Sequence, residues 1–150
     1  MLILLAGLGA APSVQGRTAL GQFDRWGAFR EPPGRCFAMA EPTGGRPSRD
    51  RPFVAITRAR GGGAPRFYVA TSRPPRPGTP LRLEIGERRF ALMGSGGADA
   101  REDARIIAAM RRADRLRVLG VDMRGRRFRD DYPLAGAPSA IDAAIIGCLP

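Results

Sequence analysis

Residues Leu81 to Met93 (LRLEIGERRFALM) alternate apolar and polar side chains on both sides of one Gly-Glu pair, and this segment constrains the fold most. Successive side chains of a strand point to opposite faces, so a period of two marks one face for a core. Gly86-Glu87 suits a two-residue turn with Gly in the first central position. That turn sets Leu83 opposite Phe90 and Leu81 opposite Leu92 on the buried face. It sets Glu84 opposite Arg89 on the other face, as an opposite-charge pair. Two faces that agree on one register predict antiparallel β structure.

The rest of the chain reads in the same way, with 20 Gly and 14 Pro favouring short elements and many turns. After a polar stretch to Asp24, Trp26, Ala28 and Phe29 begin the first folded element. Glu31 to Gly34 (EPPG) turns, and Arg35 to Ala40 (RCFAMA) returns as a strand. Beyond a loop from Glu41 to Pro52, Phe53 to Arg58 is a strand with Val54 and Ile56 on one face. Gly61 to Pro65 bends, and Arg66 to Ser72 is its partner. Arg73 to Pro80 (RPPRPGTP) reads as a stiff connection. In Leu116 to Met123 the apolar phase shifts between Val118 and Leu119, which predicts a bulge near Gly120. Arg124-Gly125 then turns the chain and brings Phe128 opposite Val121.

Two helices complete the pattern. Asp99 with Glu102 resembles a capping box for a helix over Arg101 to Ala113. Ile106, Met110 and Ala113 share one face of it, with Ala104 and Ile107 beside them. Glu102 and Asp103 in its first turn, and Arg111 and Arg112 in its last, complement the macrodipole. Ser139 with Asp142 signals a second helix, in which Ile141, Ile145 and Ile146 precede a stop at Gly147. Gly94 to Gly97 (GSGG) is a flexible break whose spacing matches neither the dinucleotide fingerprint nor the P-loop. The predicted fold is mainly β, an antiparallel sandwich or partly open barrel, with two packed α-helices.

All 25 basic residues are Arg; Lys and His are both absent. A Ser-His-Asp, Cys-His or Ser-Lys arrangement is therefore impossible. Arg stays protonated at any working pH. Zinc is not expected, because two thiolates without His leave a tetrahedral shell half empty. We assign no catalytic residue, metal ligand or cofactor. Asp122, Asp130 and Asp131 are the carboxylates that a hairpin could bring together for hydrolysis, against a plainer reading as a solvated, charge-balanced turn. The net charge of +11 permits nucleic-acid or anionic-surface binding. Arg residues interspersed with apolar ones, and not clustered on one helix, favour the plainer reading of a compositional bias. Phe67-Tyr68 beside Arg66 is the one candidate stacking platform for nucleic acid, and half-buried sheet residues have the same pattern.

Met1 to Ala11 (MLILLAGLGAA) is an uninterrupted apolar run, too short to cross a bilayer and suited to a secretory signal. Small residues through Gly16 suit cleavage, which divides the chain into a leader over 1–16 and a single domain over 17–150. No basic side chain precedes the run, and an apolar N-terminal strand is the competing reading. No later segment is long enough to span a membrane. Export with an even cysteine count favours a disulfide between Cys36 and Cys148, the other reading being two separate buried thiols. Closing so long a loop is worth roughly 4–5 kcal/mol in the chain-entropy model.

In order and motif the chain resembles the invasion-associated locus B family of exported proteobacterial proteins. The resemblance runs through Trp26-Gly27-Ala28-Phe29, Gly34-Arg35-Cys36-Phe37, the hairpin around Gly86, the helix Asp103 to Arg111 (DARIIAAMR) and Leu116-Arg117-Val118. It closes with Asp131-Tyr132-Pro133-Leu134-Ala135-Gly136 and Ala140-Ile141, covering about residues 24–148. The further Cys pair often found after the central hairpin in that family has no counterpart in Leu92 to Ala98. The resemblance implies an exported, mostly β, non-enzymatic protein of the periplasm or cell envelope, with an envelope protein or an anionic envelope surface as partner. Export takes the chain away from nucleic acid. A basic nucleic-acid-binding protein and a carboxylate-dependent hydrolase are the alternatives.

Overall fold

The structure, a computed structural model, describes residues 16–45 and 48–150; the expected leader over 1–16 lies outside them except for Gly16. Five antiparallel strands form one sheet as a meander: β1 (Thr18–Phe23), β2 (Trp26–Glu31), β3 (Arg35–Ala40), β4 (Phe53–Ala59) and β5 (Arg66–Ala70). Four more form a second sheet in the order β7-β6-β8-β9, with β6 at Leu81–Ile85, β7 at Arg88–Leu92, β8 at Arg115–Val121 and β9 at Arg127–Pro133. Helices α1 (Ala100–Met110) and α2 (Ala137–Gly147) pack on this frame. The fold is thus mainly antiparallel β with two helices, as predicted.

Each strand turns one face inward. Trp26 and Ala28, Cys36 and Ala38, Val54 and Ile56, and Phe67 and Val69 come from the first sheet. Leu83, Ile85, Phe90, Leu116, Val118 and Tyr132 come from the second, and all join a single core with Ile106, Met110 and Ile141. α2 lies on β1, β2 and β3, and α1 lies on β5 and β6. Cys36 in β3 and Cys148 just after α2 form a fully buried disulfide with Cα atoms 5.7 Å apart, clamping that helix to the first sheet.

The β6–β7 register is the predicted one, Leu83 opposite Phe90, Leu81 opposite Leu92 and Glu84 opposite Arg89. Gly86 takes φ 58° and Glu87 does not share that positive φ, as a turn with Gly in its first central position requires. Glu84 pairs in charge with Arg82 and Arg117 instead of Arg89, because β8 lies on its other side.

Several expectations are corrected. The polar stretch before Asp24 is strand β1, an edge strand that pairs with β2 through a register shift between Ala19 and Gly21. β8 has no bulge: its pairing with β9 runs unbroken, and Phe128 sits opposite Gly120. A Cβ at Gly120 would come within 2.5 Å of the Phe128 ring, so this glycine makes room for an aromatic side chain. α1 stops at Met110, which leaves Arg111 as its C-cap with no basic residue in the last turn. Ala104 is exposed, and the buried stripe runs instead through Asp103, Ile106, Ile107, Ala109 and Met110. Asp99 caps α1 by accepting from the Arg101 and Glu102 N–H groups, each at 2.9 Å. The Glu102 carboxylate turns to Arg105. Ser139 does not cap α2. That helix starts from Gly136 at φ 83° with Pro138 in its first turn, and a Cβ at Gly136 would collide with the Phe23 carbonyl. Of its isoleucines only Ile141 is fully buried, while Ile146 is exposed.

Candidate binding cleft

The three carboxylates proposed for hydrolysis are bonded separately. Asp122 closes the β8–β9 turn. Asp130 points inward and accepts the Ser72 N–H at 2.9 Å. Asp131 faces outward between Arg117 and Arg129. They do not surround one cleft, and among the described residues no three His, Cys, Asp or Glu side chains come together as a metal site would need. The Cys36 thiol is consumed in the disulfide. Tyr132 is buried, and burial above all pushes its phenol far up, with the Asp130 and Glu41 charges adding to the effect.

Several motif residues of the family resemblance, Trp26, Cys36, Tyr132, Leu134 and Ile141 among them, are buried in the interior. The Trp26 indole N–H donates to the Pro133 carbonyl at 2.9 Å across 107 positions, joining the two sheets. Leu134 is buried beside them, and Gly136 abuts the turn that precedes Trp26. These motif residues build the fold.

The outward side of the first sheet is different. β-Alternation turns Phe29, Phe37, Met39, Phe53, Ala55, Thr57 and Tyr68 away from the core. Phe29 lies opposite Phe37, Phe37 opposite Thr57 and Ala55 opposite Tyr68. The Phe29 and Phe37 rings sit 5.4 Å apart, and Phe53 stacks on Tyr68 at 5.7 Å. A cleft of about 770 Å³ covers the part of this floor from Phe37 to Tyr68, leaving Phe29 outside it, and is walled by Met93 to Gly97. Met93 is 68% and Tyr68 42% exposed, a large apolar investment on an outer surface.

The Arg residues at this cleft are already paired. The Arg17 guanidinium lies 5.0 Å from the Phe37 ring centre and donates to Glu31 at 3.2 Å. Arg35 donates to the same carboxylate. That bond is the main reason Glu31 is held below the ordinary carboxylate range, against the opposing effect of its partial burial. Arg66 donates to Asp103, a fully buried carboxylate on α1.

Asp103 also fixes the wall. Its Oδ1 accepts the Gly97 N–H at 2.8 Å, and Ser95 accepts the Val69 N–H at 2.7 Å. A Cβ at Gly96 would come within 2.8 Å of the Phe67 carbonyl, and one at Gly97 would strike the Asp103 carboxylate. The GSGG segment, expected to be a flexible break, is therefore hydrogen-bonded to β5 and α1, and its glycines permit that close approach.

Sequence reasoning named Arg66, Phe67 and Tyr68 as a platform. The structure divides them: Tyr68 is exposed at the cleft, while Phe67 borders it but is buried in the core at 3% exposure. Phe37 and Phe53 were read only as strand residues and not as part of a platform, although the EPPG turn already places Phe37 opposite Phe29. Asp103 escaped too, since a carboxylate in a first helical turn suffices for the macrodipole and carries no mark of burial. No family model, curated protein or solved structure matches this chain.

Proposed function

We propose that the chain is an exported, non-enzymatic cell-envelope protein that acts by holding another macromolecule, in line with its resemblance to the invasion-associated locus B proteins. The buried Cys36–Cys148 disulfide carries this reading. Such a bond persists in oxidising compartments and is rare where glutathione keeps thiols reduced. The apolar run Met1 to Ala11 supplies the export signal. No helix of the described residues is long and apolar enough to cross a membrane. The aromatic cleft supports a binding role, because its floor is large and apolar while its guanidiniums are already engaged by Glu31 and Asp103. An apolar or aromatic segment of an envelope protein fits it better than an anion does.

Cell fractionation followed by intact-mass measurement, with alkylation before and after reduction, tests the assignment. A shortened, disulfide-bonded chain in the envelope fraction is expected. Full-length chain with free thiols, confined to the cytosol, overturns it. Tyr68→Ala should abolish crosslinking to the envelope partner while leaving the thermal midpoint nearly unchanged. Undiminished crosslinking removes the cleft from the reading.

A further inference from the structure

A second surface lies at the far end of the four-stranded sheet, where Asp122 closes the β8–β9 turn. Its Oδ1 accepts the main-chain N–H groups of Arg124 and Arg126, each at 2.9 Å. Its Oδ2 accepts from Arg73 Nη1 and Arg126 Nε, each at 3.1 Å. The Gly125 N–H donates to the Asp122 carbonyl at 2.9 Å, and Gly125 takes φ 75°. The Pro-rich connection is laid along this tip. Pro75 bridges to Asp122, and the Arg76 N–H donates to the Val121 carbonyl at 2.8 Å. Two segments distant in sequence thus form one braced end.

Arg73, Arg76, Arg124, Arg126 and Arg127 are all exposed there, beside the buried carboxylate of Asp122. Four donors already saturate Asp122, and the neighbouring buried Asp130 is committed to the Ser72 N–H. Arg76, Arg124 and Arg127 make no ion pair among the described residues, in contrast to every Arg of the aromatic cleft. At the apex of this charge stands Met123, 61% exposed. An exposed methionine at a tip that also carries the unpaired guanidiniums of Arg76, Arg124 and Arg127 suits a phosphate-headgroup bilayer: the apolar side chain gains by entering the acyl boundary while the charges meet phosphates. Duplex nucleic acid offers the charges a partner but Met123 nothing apolar.

We infer that the β8–β9 tip docks the protein on an anionic bilayer surface, with Met123 entering the interface and Arg76, Arg124 and Arg127 taking lipid phosphates. The choice of surface rests on the envelope reading above; the charge geometry does not. Co-sedimentation of the full oxidised chain with phosphatidylglycerol/phosphatidylcholine vesicles, against pure phosphatidylcholine vesicles, tests it. Binding should require phosphatidylglycerol and weaken with salt. The R76Q/R124Q/R127Q variant should bind about a hundredfold more weakly. Met123→Ser should cost about tenfold. The R76K/R124K/R127K variant should retain binding, which separates lost charge from lost fold. Any affinity contributed by the apolar run Met1 to Ala11 is common to all variants and to both vesicle types.

An equal loss in R88Q/R89Q/R115Q, whose charges lie at the opposite end of the same sheet, overturns the inference in favour of diffuse charge. So does competition by inorganic phosphate, which would mark a free-anion site. Binding of a DNA duplex that matches the vesicles in strength and in dependence on the three Arg residues overturns the lipid assignment. Vesicle binding by a chain found reduced in the cytosol would remove the export reading and leave this one. Absence of vesicle binding by the oxidised protein would do the reverse.

Discussion

The two sheets share one core but turn opposite chemistries to the outside. Across the four-stranded sheet the outward row is Arg89, Glu84, Arg117 and Asp131, one residue from each strand in register. Its charges link into a chain, Arg82 to Glu84 at 3.5 Å, Arg117 to Asp131 at 3.4 Å and Arg129 to Asp131 at 2.8 Å. The matching row of the five-stranded sheet is Phe29, Phe37, Thr57 and Arg66. Both faces come from the same two-residue period, so alternation decides only which residues leave the core. What they then do depends on their neighbours. A solvated ladder keeps its face wet and adds little stability, whereas the aromatic face keeps apolar surface in reach of a partner. One surface is scaffold and the other is the candidate site.

The largest expected effect breaks the clamp behind the aromatic face. Cys36→Ala with Cys148→Ala should lower unfolding stability by about 2–5 kcal/mol in urea titration. A loss below this range would mean that α2 holds the first sheet without its crosslink. Next comes the cleft wall. Asp103→Ala removes a buried carboxylate that accepts from Arg66 and Gly97, and should cost about 2–3 kcal/mol. Hydrogen exchange at Ser95 to Gly97 should speed up while β6 and β8 stay protected; uniform exchange would show that the wall is not a separate element.

The charged end makes a pH prediction. The Asp122 carboxyl is held at about 2 against an ordinary 3.8, first by the Arg126 main-chain N–H and then by Arg73 and the Arg124 N–H, against the cost of its burial. A folded-state value below the unfolded one contributes stability above the unfolded value, and that contribution is lost as pH falls through the folded value. The stability gap between wild type and Asp122→Asn should therefore be constant above pH of about 4 and shrink towards about 2. A gap independent of acid would contradict the hydrogen-bond geometry. The smallest effect belongs to the ladder: Arg117→Gln should cost under about 1 kcal/mol and leave partner crosslinking unchanged. A larger loss would erase the distinction between scaffold face and binding face.

Much of the frame was legible along the chain. The Leu81 to Met93 register was readable because two faces imposed the same pairing, and Gly86 supplied the one positive φ that the turn needs. β1 was not readable: Thr18 to Phe23 has no clean alternation and becomes a strand only because the free edge of β2 offers it a ladder. Gly120 looked like a bulge because its role depends on a ring from the next strand. Only one strand's share of the cleft could be found, in Arg66 and Tyr68. Its wall could not, since Asp103 meets Arg66 across 37 positions.

Sequence alone determined the antiparallel pairing, the absence of histidine and lysine chemistry, and the two cysteines available to one another. Period, turn residues and composition are properties of neighbouring positions, so they survive without coordinates. Only the tertiary structure decided which outward face is aromatic cleft and which is charge ladder, and which guanidiniums find a carboxylate. Pairing of charge falls off within a few ångströms, and the groups concerned are brought that close only when strands and helices from distant parts of the chain are packed together.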